Sequence, residues 1–105
     1  MITWKNACGG DLRRFKAINH FLKPYPKLID HLFKTDKAEL NYPTMGLHKS
    51  FCQFSTGEQI LARAALDIWS DSGQVTLPEL TRLDPENFKN VLIGLLMAQG
   101  FGPRE

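Results

Sequence analysis

The sequence predicts an all-α protein that folds as a single compact domain. Apolar residues recur at helical spacing in several segments, helix-capping sequences come before the later segments, and proline or glycine separates one segment from the next. The chain has 105 residues, of which 43% are hydrophobic, and folding of a chain this long hides roughly 65% of the surface that the unfolded chain exposes. We therefore expect one helical domain over residues 1–105, with about five helices around a central one.

The first helix is predicted from Asp11 to Lys23, where apolar residues recur at helical spacing. Pro24 and Pro26 end it, because the residue before a proline is pushed out of the helical region. A second helix is expected over residues 27–34. The polar side of the first helix is cationic and continues into the second. The residues predicted to contact an anionic partner are Arg13, Lys16, His20, Lys23 and Lys27.

The middle of the chain, residues 35–54, has no sustained hydrophobic period and is expected to be irregular, with a short strand as the alternative over residues 47–54. Within it Cys52 stands between Phe51 and Phe54, which favours a small buried side chain. The other cysteine of the sequence is Cys8. Because the two are far apart and no secretion signal comes before them, both are expected to be reduced thiols.

The central helix is predicted at about residues 56–70. Ser55 and Glu58 form a capping-box sequence, in which each side chain accepts a hydrogen bond from the backbone N–H of the other residue. The helix is apolar on most of its circumference, so we expect other helices to surround it. Arg63 and Asp67 lie on the remaining polar strip and are expected to form an exposed ion pair one turn apart.

Two further helices are expected after the central one. Thr76 and Glu79 form a second capping-box sequence, which predicts a short helix from residue 77 to about residue 83. Asp84 before a proline is typical of a helix start, and this last helix is expected to end near Gly100. Its core side is predicted to consist of Phe88, Val91, Leu92, Leu95 and Leu96.

A second apolar strip on the last helix predicts a contact surface. Ile93 and Met97 lie one turn apart, away from the expected core side, and the small Gly94 beside them suits close helix packing. Either residues from the N-terminal half of the chain cover this strip, or another protein or a second copy of the chain covers it. The predicted partner-binding residues are Ile93, Met97, Glu86 and Asn90.

No arrangement of residues in the sequence points to an enzyme, a metal site or a cofactor. His20, His31 and His48 do not fall at ligand spacing with one another or with a cysteine, and no nucleophile motif is present. We therefore expect a protein that is not an enzyme and that needs no cofactor.

Charge is distributed unevenly along the chain. Residues 1–49 carry nine Lys and Arg against four Asp and Glu, a balance of +5, whereas residues 50–105 carry four against seven, a balance of −3. A cationic helix face can follow a phosphate backbone, lie on an anionic membrane or contact an acidic protein. Phe15 and Phe21 point to the core side of that helix, which disfavours base stacking on single-stranded nucleic acid.

Three segments of the C-terminal half follow one another as long helix, short helix and last helix. They are Ala65-Leu66-Asp67-Ile68-Trp69, Val75-Thr76-Leu77-Pro78-Glu79-Leu80, and residues 87–96 with the ending Gln99-Gly100-Phe101. Together, over residues 60–102, they resemble the three-helix core of winged helix-turn-helix domains, and the resemblance implies a nucleic-acid-binding regulator. This chain departs from the pattern, because its last helix opens with Asp84 and Glu86, carries Lys89 as its one cation, and leaves too few residues for a wing.

A second resemblance is carried by Ser55-x-Gly57-Glu58, Ala65-Leu66-x-Ile68-Trp69 and Leu83-Asp84-x-Glu86-Asn87. In this combination the C-terminal half looks like small uncharacterised proteins of bacteria and their mobile elements. The resemblance implies a bacterial cytoplasmic origin and brings no activity or site with it.

These observations predict a small protein–protein interaction module that acts as an adaptor, inhibitor or regulator. The alternative is a nucleic-acid-binding regulator with a degenerate helix-turn-helix, which the acidic start of the last helix disfavours. We expect a cytoplasmic location and no membrane partner, because no apolar stretch is long enough to span a bilayer and the first ten residues lack the apolar run of a signal peptide.

Overall fold

A computed structural model of the chain describes residues 9–34, 39–41 and 49–98, with the side chains of the first helix from Leu12 onward. Every regular element in these ranges is helical, and the β contact among them is an isolated antiparallel bridge between Phe33 and Leu40. The predicted all-α fold is therefore confirmed. The elements are α1 (Gly9–Leu22), α2 (Pro26–Leu32), a 3-10 helix (Phe51–Gln53), α3 (Thr56–Ser70), α4 (Leu77–Leu80) and α5 (Pro85–Ala98).

Helix α3 is the centre of the domain and spans the residues that were predicted for the central helix, 56–70. The backbone N–H of Glu58 donates to Ser55 Oγ at 3.2 Å, and the N–H of Ser55 donates to Glu58 Oε1 at 3.0 Å, so the predicted capping box is confirmed. Helices α1, α2 and α5 and the 3-10 helix all contact α3. Its buried residues are Ile60, Leu61, Ala62, Ala64, Ala65 and Leu66.

Aromatic side chains join α1 and the end of α2 to α3. The Phe33 ring packs edge-to-face against Phe15 and Trp69, with ring centroids 5.5 and 5.0 Å apart. The Arg14 guanidinium lies over the Trp69 ring, 5.5 Å from its centroid, where the face of an aromatic ring attracts a cation. These contacts pack α1 and the end of α2 against α3 at Trp69, near the C-terminal end of that helix.

The first two helices differ by one or two residues from their predicted ranges. Helix α1 starts two residues before Asp11, and α2 ends two residues before Lys34. At the end of α2, the Asn41 side chain donates to the carbonyl oxygens of Asp30 and Phe33 at 2.8 and 3.1 Å. An amide from the irregular segment thus satisfies carbonyl groups that a helix end leaves without intrahelical donors.

The last two helices begin where their capping sequences predict. Thr76 Oγ1 accepts the N–H of Glu79 at 3.3 Å, and Asp84 Oδ1 accepts the N–H of Asn87 at 3.2 Å. Helix α4 is three residues shorter than predicted and is followed by a turn. The predicted end of α5 at Gly100 lies outside the described residues.

The 3-10 helix corrects the prediction for Cys52. Phe51 is buried, whereas Cys52 is exposed. In a 3-10 helix consecutive side chains point about 120° apart, so burial of one turns its neighbour away from the core. The predicted burial of Cys52 is therefore wrong, while Cys8 and His48 lie outside the described residues.

Candidate interaction surface

The outward side of α5 is apolar, and this contradicts part of the predicted core stripe. Leu92, Leu95 and Leu96 are 43%, 41% and 54% exposed, and we call these three residues the leucine face of α5. Of the five residues predicted to form the core side, Val91 is buried and Phe88 is half-buried. The prediction is wrong for the three leucines, because the helix is rotated relative to the expected orientation.

Gly94 determines how α5 is rotated. A Cβ atom at this position would lie 2.8 Å from Ala17 O and 2.8 Å from the Phe21 ring, so the backbone of α5 rests directly on α1. Helix α5 is apolar on almost every side, and hydrophobic periodicity therefore contains little information about its rotation. The backbone at Gly94, which carries no side chain, forms this close contact with α1. The three leucines point away from this contact.

Helices α1 and α5 are antiparallel. Near the start of α5, Asn87 donates its side-chain amide to Tyr25 Oη at 2.8 Å, just after the end of α1. Seven residues later, Gly94 lies against Ala17 and Phe21 in the second half of α1. Moving forward along α5 therefore corresponds to moving backward along α1.

The predicted partner-binding residues occupy the flank of α5 between its contact with α1 and its leucine face. Their positions follow from the rotation of about 100° between successive residues of an α-helix. Glu86 is exposed, and the other three are half-buried, so the chain itself covers part of the predicted strip. In order around the helix from Gly94 to Leu96, these residues are Asn90, Met97, Glu86 and Ile93.

The predicted cationic residues lie on the outer side of α1 and at the start of α2. His20 is half-buried and the other four are exposed. Ala17 faces α5, and the helical rotation places Arg13 and His20 between Ala17 and the solvent side of α1. The set consists of Arg13, Lys16, His20, Lys23 and Lys27.

The outer flanks of α1 and α5 border the same groove. On the opposite side of the contact between the two helices, Ile18 of α1 and Val91 of α5 are buried in the core. The flanks that lie away from these two residues therefore border one groove, in which the His20 Nε2 atom is buried. We call their combination the α1–α5 outer surface. It consists of Arg13, Lys16 and His20 on α1 and of Asn90, Met97, Glu86 and Ile93 on α5. Leu92 and Leu96 lie about 160° around α5 from Gly94 and point away from α1.

Asp67 on α3 has a different role from the predicted one. Its carboxylate accepts the backbone N–H groups of Gly73, Gln74 and Val75 at 2.8, 3.0 and 2.9 Å. These residues belong to the connection between α3 and α4, residues 71–76, which we call the α3–α4 corner. The prediction of an exposed ion pair on α3 is wrong, because Asp67 is half-buried and binds the corner.

Arg63 binds the same corner from the preceding turn of α3. Its Nε donates to Gly73 O at 3.0 Å, and its terminal nitrogens bind Gln74 O and the Glu79 carboxylate. The hydrogen bond from the guanidinium lowers the pKa of Glu79 below its ordinary value of 4.5. Arg63 and Asp67 thus hold the corner against α3, which is a structural role.

Gly73 lets the corner approach α3 closely. A Cβ atom at this position would lie 1.7 Å from Arg63 O and 2.6 Å from the Arg63 carbonyl carbon. Asp71 and Gln74, on either side, have positive φ angles of 55° and 56°, which cost about 1–2 kcal/mol each for residues with a side chain. The hydrogen bonds of the corner offset this cost.

The structure also joins His31 and Ser50, which the sequence analysis did not connect. His31 Nε2 lies 2.7 Å from Ser50 Oγ, and the imidazole ring packs edge-on to Phe54 with a centroid distance of 5.2 Å. The two residues are 19 positions apart, so no local spacing relates them. The contact attaches the 3-10 helix region to α2.

Three residues at the start of α5 bear on the helix-turn-helix resemblance. The Asn87 amide, which the resemblance places on a base-reading helix, donates to Tyr25 Oη. Asp84 and Glu86 are exposed at the start of α5, where the negative charge of DNA phosphates disfavours carboxylates. The start of α5 is therefore poorly suited to contact a DNA duplex.

No family model matches the chain, and no curated protein or solved structure shows significant similarity to it. In the part of the chain that the structure describes, no three His, Cys, Asp or Glu side chains form a group that could hold a metal ion. Each helix in that part is too short or too polar to cross a membrane. The leucine face of α5 is the described feature from which a function can be inferred.

Proposed function

We propose that the chain is a small protein–protein interaction module, an adaptor, inhibitor or regulator, and that it binds its partner through the leucine face of α5. The observation that carries this proposal is the exposure of Leu92, Leu95 and Leu96 on one side of one helix. A single exposed leucine is ordinary, as at Leu77, whereas contiguous apolar residues on a surface mark interaction sites.

The expected energetic effect of covering the leucine face is large enough to matter. Full burial of one leucine side chain contributes about 1.5–3 kcal/mol, and these three are about half exposed. Covering them all therefore contributes roughly 3 kcal/mol, which corresponds to an affinity difference of about a hundredfold.

A second candidate is a nucleic-acid-binding regulator, which the exposed cations of α1 and α2 favour. Binding of this kind would weaken steeply with salt, by a log–log slope of about −0.9 for each phosphate neutralised. The exposed carboxylates of Asp84 and Glu86 oppose it at the start of α5. We therefore rank it below protein binding.

The proposal is tested by comparing two leucine variants of the tagged protein. Leu92→Gln combined with Leu96→Gln removes most of the leucine face, whereas Leu77→Gln makes the same change at a leucine that is 78% exposed on α4. Cross-linking in the native cell, followed by purification with and without nuclease, identifies bound molecules. We expect protein partners that persist after nuclease treatment with the wild type and Leu77→Gln and disappear with the double variant.

Two results would overturn this assignment. Partners that all three proteins retain equally would show that the leucine face is not the contact site. Partners that disappear after nuclease treatment, and after Arg13→Glu combined with Lys16→Glu, would favour the nucleic-acid candidate.

A further inference from the structure

Resting on the proposed function, the placement of the leucine face also indicates the shape of the partner. The backbone of α5 at Gly94 lies against Ala17 and Phe21 of α1. Since successive residues of an α-helix are rotated by about 100°, Leu92 and Leu96 lie about 160° around α5 from Gly94. Both leucines are therefore on the side of α5 opposite to α1, at the crest of a ridge that the helix forms on the surface.

The exposed part of α5 covers about half of the circumference of the helix. Leu95 lies about 100° from Gly94 on one side of the crest, and Glu86 lies about 80° from Gly94 on the other side. Both are exposed, as is the crest between them. A partner can thus contact α5 from the front and from both sides.

One cation continues the crest toward the start of α5. Lys89 is exposed, and it lies about 60° around the helix from Leu92 and about 20° from Leu96. Among the residues that the structure describes, none forms an ion pair with its ammonium group. The crest thus consists of leucines with a single positive charge at its N-terminal end.

The crest alone is too small to form a stable interface. Because the three leucines are about half exposed, covering them removes roughly 120 Å² of apolar surface from water. A stable protein–protein interface buries about 800 Å² on each partner. The remaining contact must come from the two sides of α5, and a concave surface is the shape that reaches the crest and both sides of one helix.

We propose that α5 inserts this ridge into an apolar groove of the partner protein, and that a carboxylate in the groove pairs with Lys89. Leu92, Leu95 and Leu96 have the i, i+3 and i+4 spacing with which a helix anchors itself in a groove. The floor of the groove would cover the leucines, and its two walls would contact the sides of α5. The carboxylate would lie at the end of the groove that receives the start of α5, which fixes the direction of binding.

A second copy of the chain does not provide such a groove with its own α5. Two-fold symmetry places the same patch on both copies, so that one ridge would contact another. If the two helices were parallel, Lys89 would face Lys89. If they were antiparallel over the leucines, Lys89 would lie beside the second half of the other α5, residues 91–98, which contains no carboxylate. Both arrangements leave the cation without a partner of opposite charge.

An anionic membrane is also disfavoured as the occupant. Asp84 and Glu86 are exposed at the same end of α5 as Lys89, so this end carries more negative than positive charge, and anionic headgroups repel it. Three half-exposed leucines also bury less apolar surface than one myristoyl chain, which by itself gives only marginal membrane binding. A protein groove has its charges at fixed positions, so it can pair with Lys89 and leave the two carboxylates in water.

The shape of the partner is tested by photo-cross-linking from positions around α5. The photoreactive residue p-benzoylphenylalanine replaces Leu95, Leu96 or Glu86, one at a time, in the full-length protein in its native cell, and Leu77 on α4 is the control position. The three α5 positions span about half of the circumference of the helix. We expect all three to link to the same partner protein, and the two side positions to link to segments that are separate in the partner's sequence. Position 77 should give no link to this protein.

The carboxylate is tested with a carbodiimide, which joins an amine to a carboxylate as an amide. We expect Lys89 to be joined to an aspartate or glutamate of that partner. Lys89→Arg keeps the charge but removes the amine, so this product should disappear while photo-cross-linking from position 96 remains. Lys89→Glu should lower photo-cross-linking from position 96 at least about tenfold, whereas Arg82→Glu, at an exposed cation outside α5, should leave it unchanged.

Other results would overturn the proposal in distinguishable ways. Links from position 96 that are absent at one side of α5, or a partner with no carboxylate joined to Lys89, would overturn the groove and leave the proposed function standing. If no position on the leucine face links to a protein, both are overturned. A product with twice the mass of the chain would replace the groove by a second copy, and links to lipid would replace it by a membrane.

Discussion

The α3–α4 corner and the leucine face of α5 differ in whether the chain itself supplies their contacts. The corner needs hydrogen-bond partners, and the leucine face needs apolar side chains to cover it. In the corner, Asp67 accepts three backbone N–H groups and Arg63 binds two carbonyl oxygens and Glu79. On α5, Leu92, Leu95 and Leu96 remain 41–54% exposed. The corner is complete within one chain, whereas the chain leaves the leucine face exposed, and we propose that a partner protein covers it. Substitutions in the corner should therefore change stability, and substitutions on the leucine face should change binding.

The largest effect is expected from Gly73→Ala in the corner. The new Cβ atom would lie 1.7 Å from Arg63 O, so the corner must move away from α3 and lose hydrogen bonds to Asp67 and Arg63. We expect a loss of about 3 kcal/mol or more in the free energy of unfolding, measured with urea. Gly57→Ala is the matched control, because nothing lies within 4 Å of its Cβ position. It should stabilise α3 by up to about 1 kcal/mol.

Asp67→Asn should have the next largest effect. Asparagine retains one acceptor oxygen but turns an N–H₂ group toward a backbone N–H, and the charge-assisted hydrogen bonds are lost. We expect about 2 kcal/mol of destabilisation. Unchanged stability would show that the corner does not depend on this carboxylate, and it would remove the contrast with the leucine face.

Gly94→Ala tests whether the glycine contact sets the rotation of α5. The added methyl group would press on Ala17 O and on the Phe21 ring at 2.8 Å, although alanine also favours the helix by about 1 kcal/mol. We expect a net loss of about 1–2 kcal/mol in the free energy of unfolding. A variant that is more stable than the wild type would show that α5 can move away from α1 without a net loss of free energy, and that the glycine contact does not set the rotation.

A smaller and pH-dependent effect is expected from Glu79→Gln. The folded pKa of Glu79 lies below its ordinary value of 4.5 because Arg63 donates to its carboxylate. The ionised form therefore stabilises the fold above pH 4.5, and this contribution is lost as the pH falls through the lower folded pKa. Urea unfolding at several pH values should show a weaker loss of stability in acid for Glu79→Gln than for the wild type. Glu86→Gln, outside the corner, is the control.

The two regions also differ in what the sequence predicts about them. The capping boxes at Ser55 and Thr76 are local patterns, and both are confirmed at the predicted residues. The all-α fold and the central position of α3 follow from the same local patterns. The helical spacing predicts an exposed pair for Arg63 and Asp67, because their true partners lie in a connection between helices. The backbone conformation of that connection, including the positive φ at Gln74, leaves no signature in hydrophobic periodicity.

The candidate surface was predicted in part. The cationic residues of α1 are exposed as expected, apart from the half-buried His20. The predicted core side of α5 is wrong for its leucines, because an almost uniformly apolar helix has several equivalent candidate core sides. The small Gly94 beside Ile93 predicts close helix packing, and this is the signal in the sequence for the true orientation. A helix orientation with Gly94 in contact with α1 places the three leucines outside the core.

The most direct test of the account is the free energy of unfolding of Leu92→Gln/Leu96→Gln. If these leucines form an external contact surface, the double variant remains folded and loses no more than about 1 kcal/mol per substitution in urea, because the chain already buries about half of each side chain. Buried leucines would behave differently, since placing two amide side chains in a core costs several kcal/mol. A loss of that size would contradict the claim that the leucine face of α5 is a binding surface.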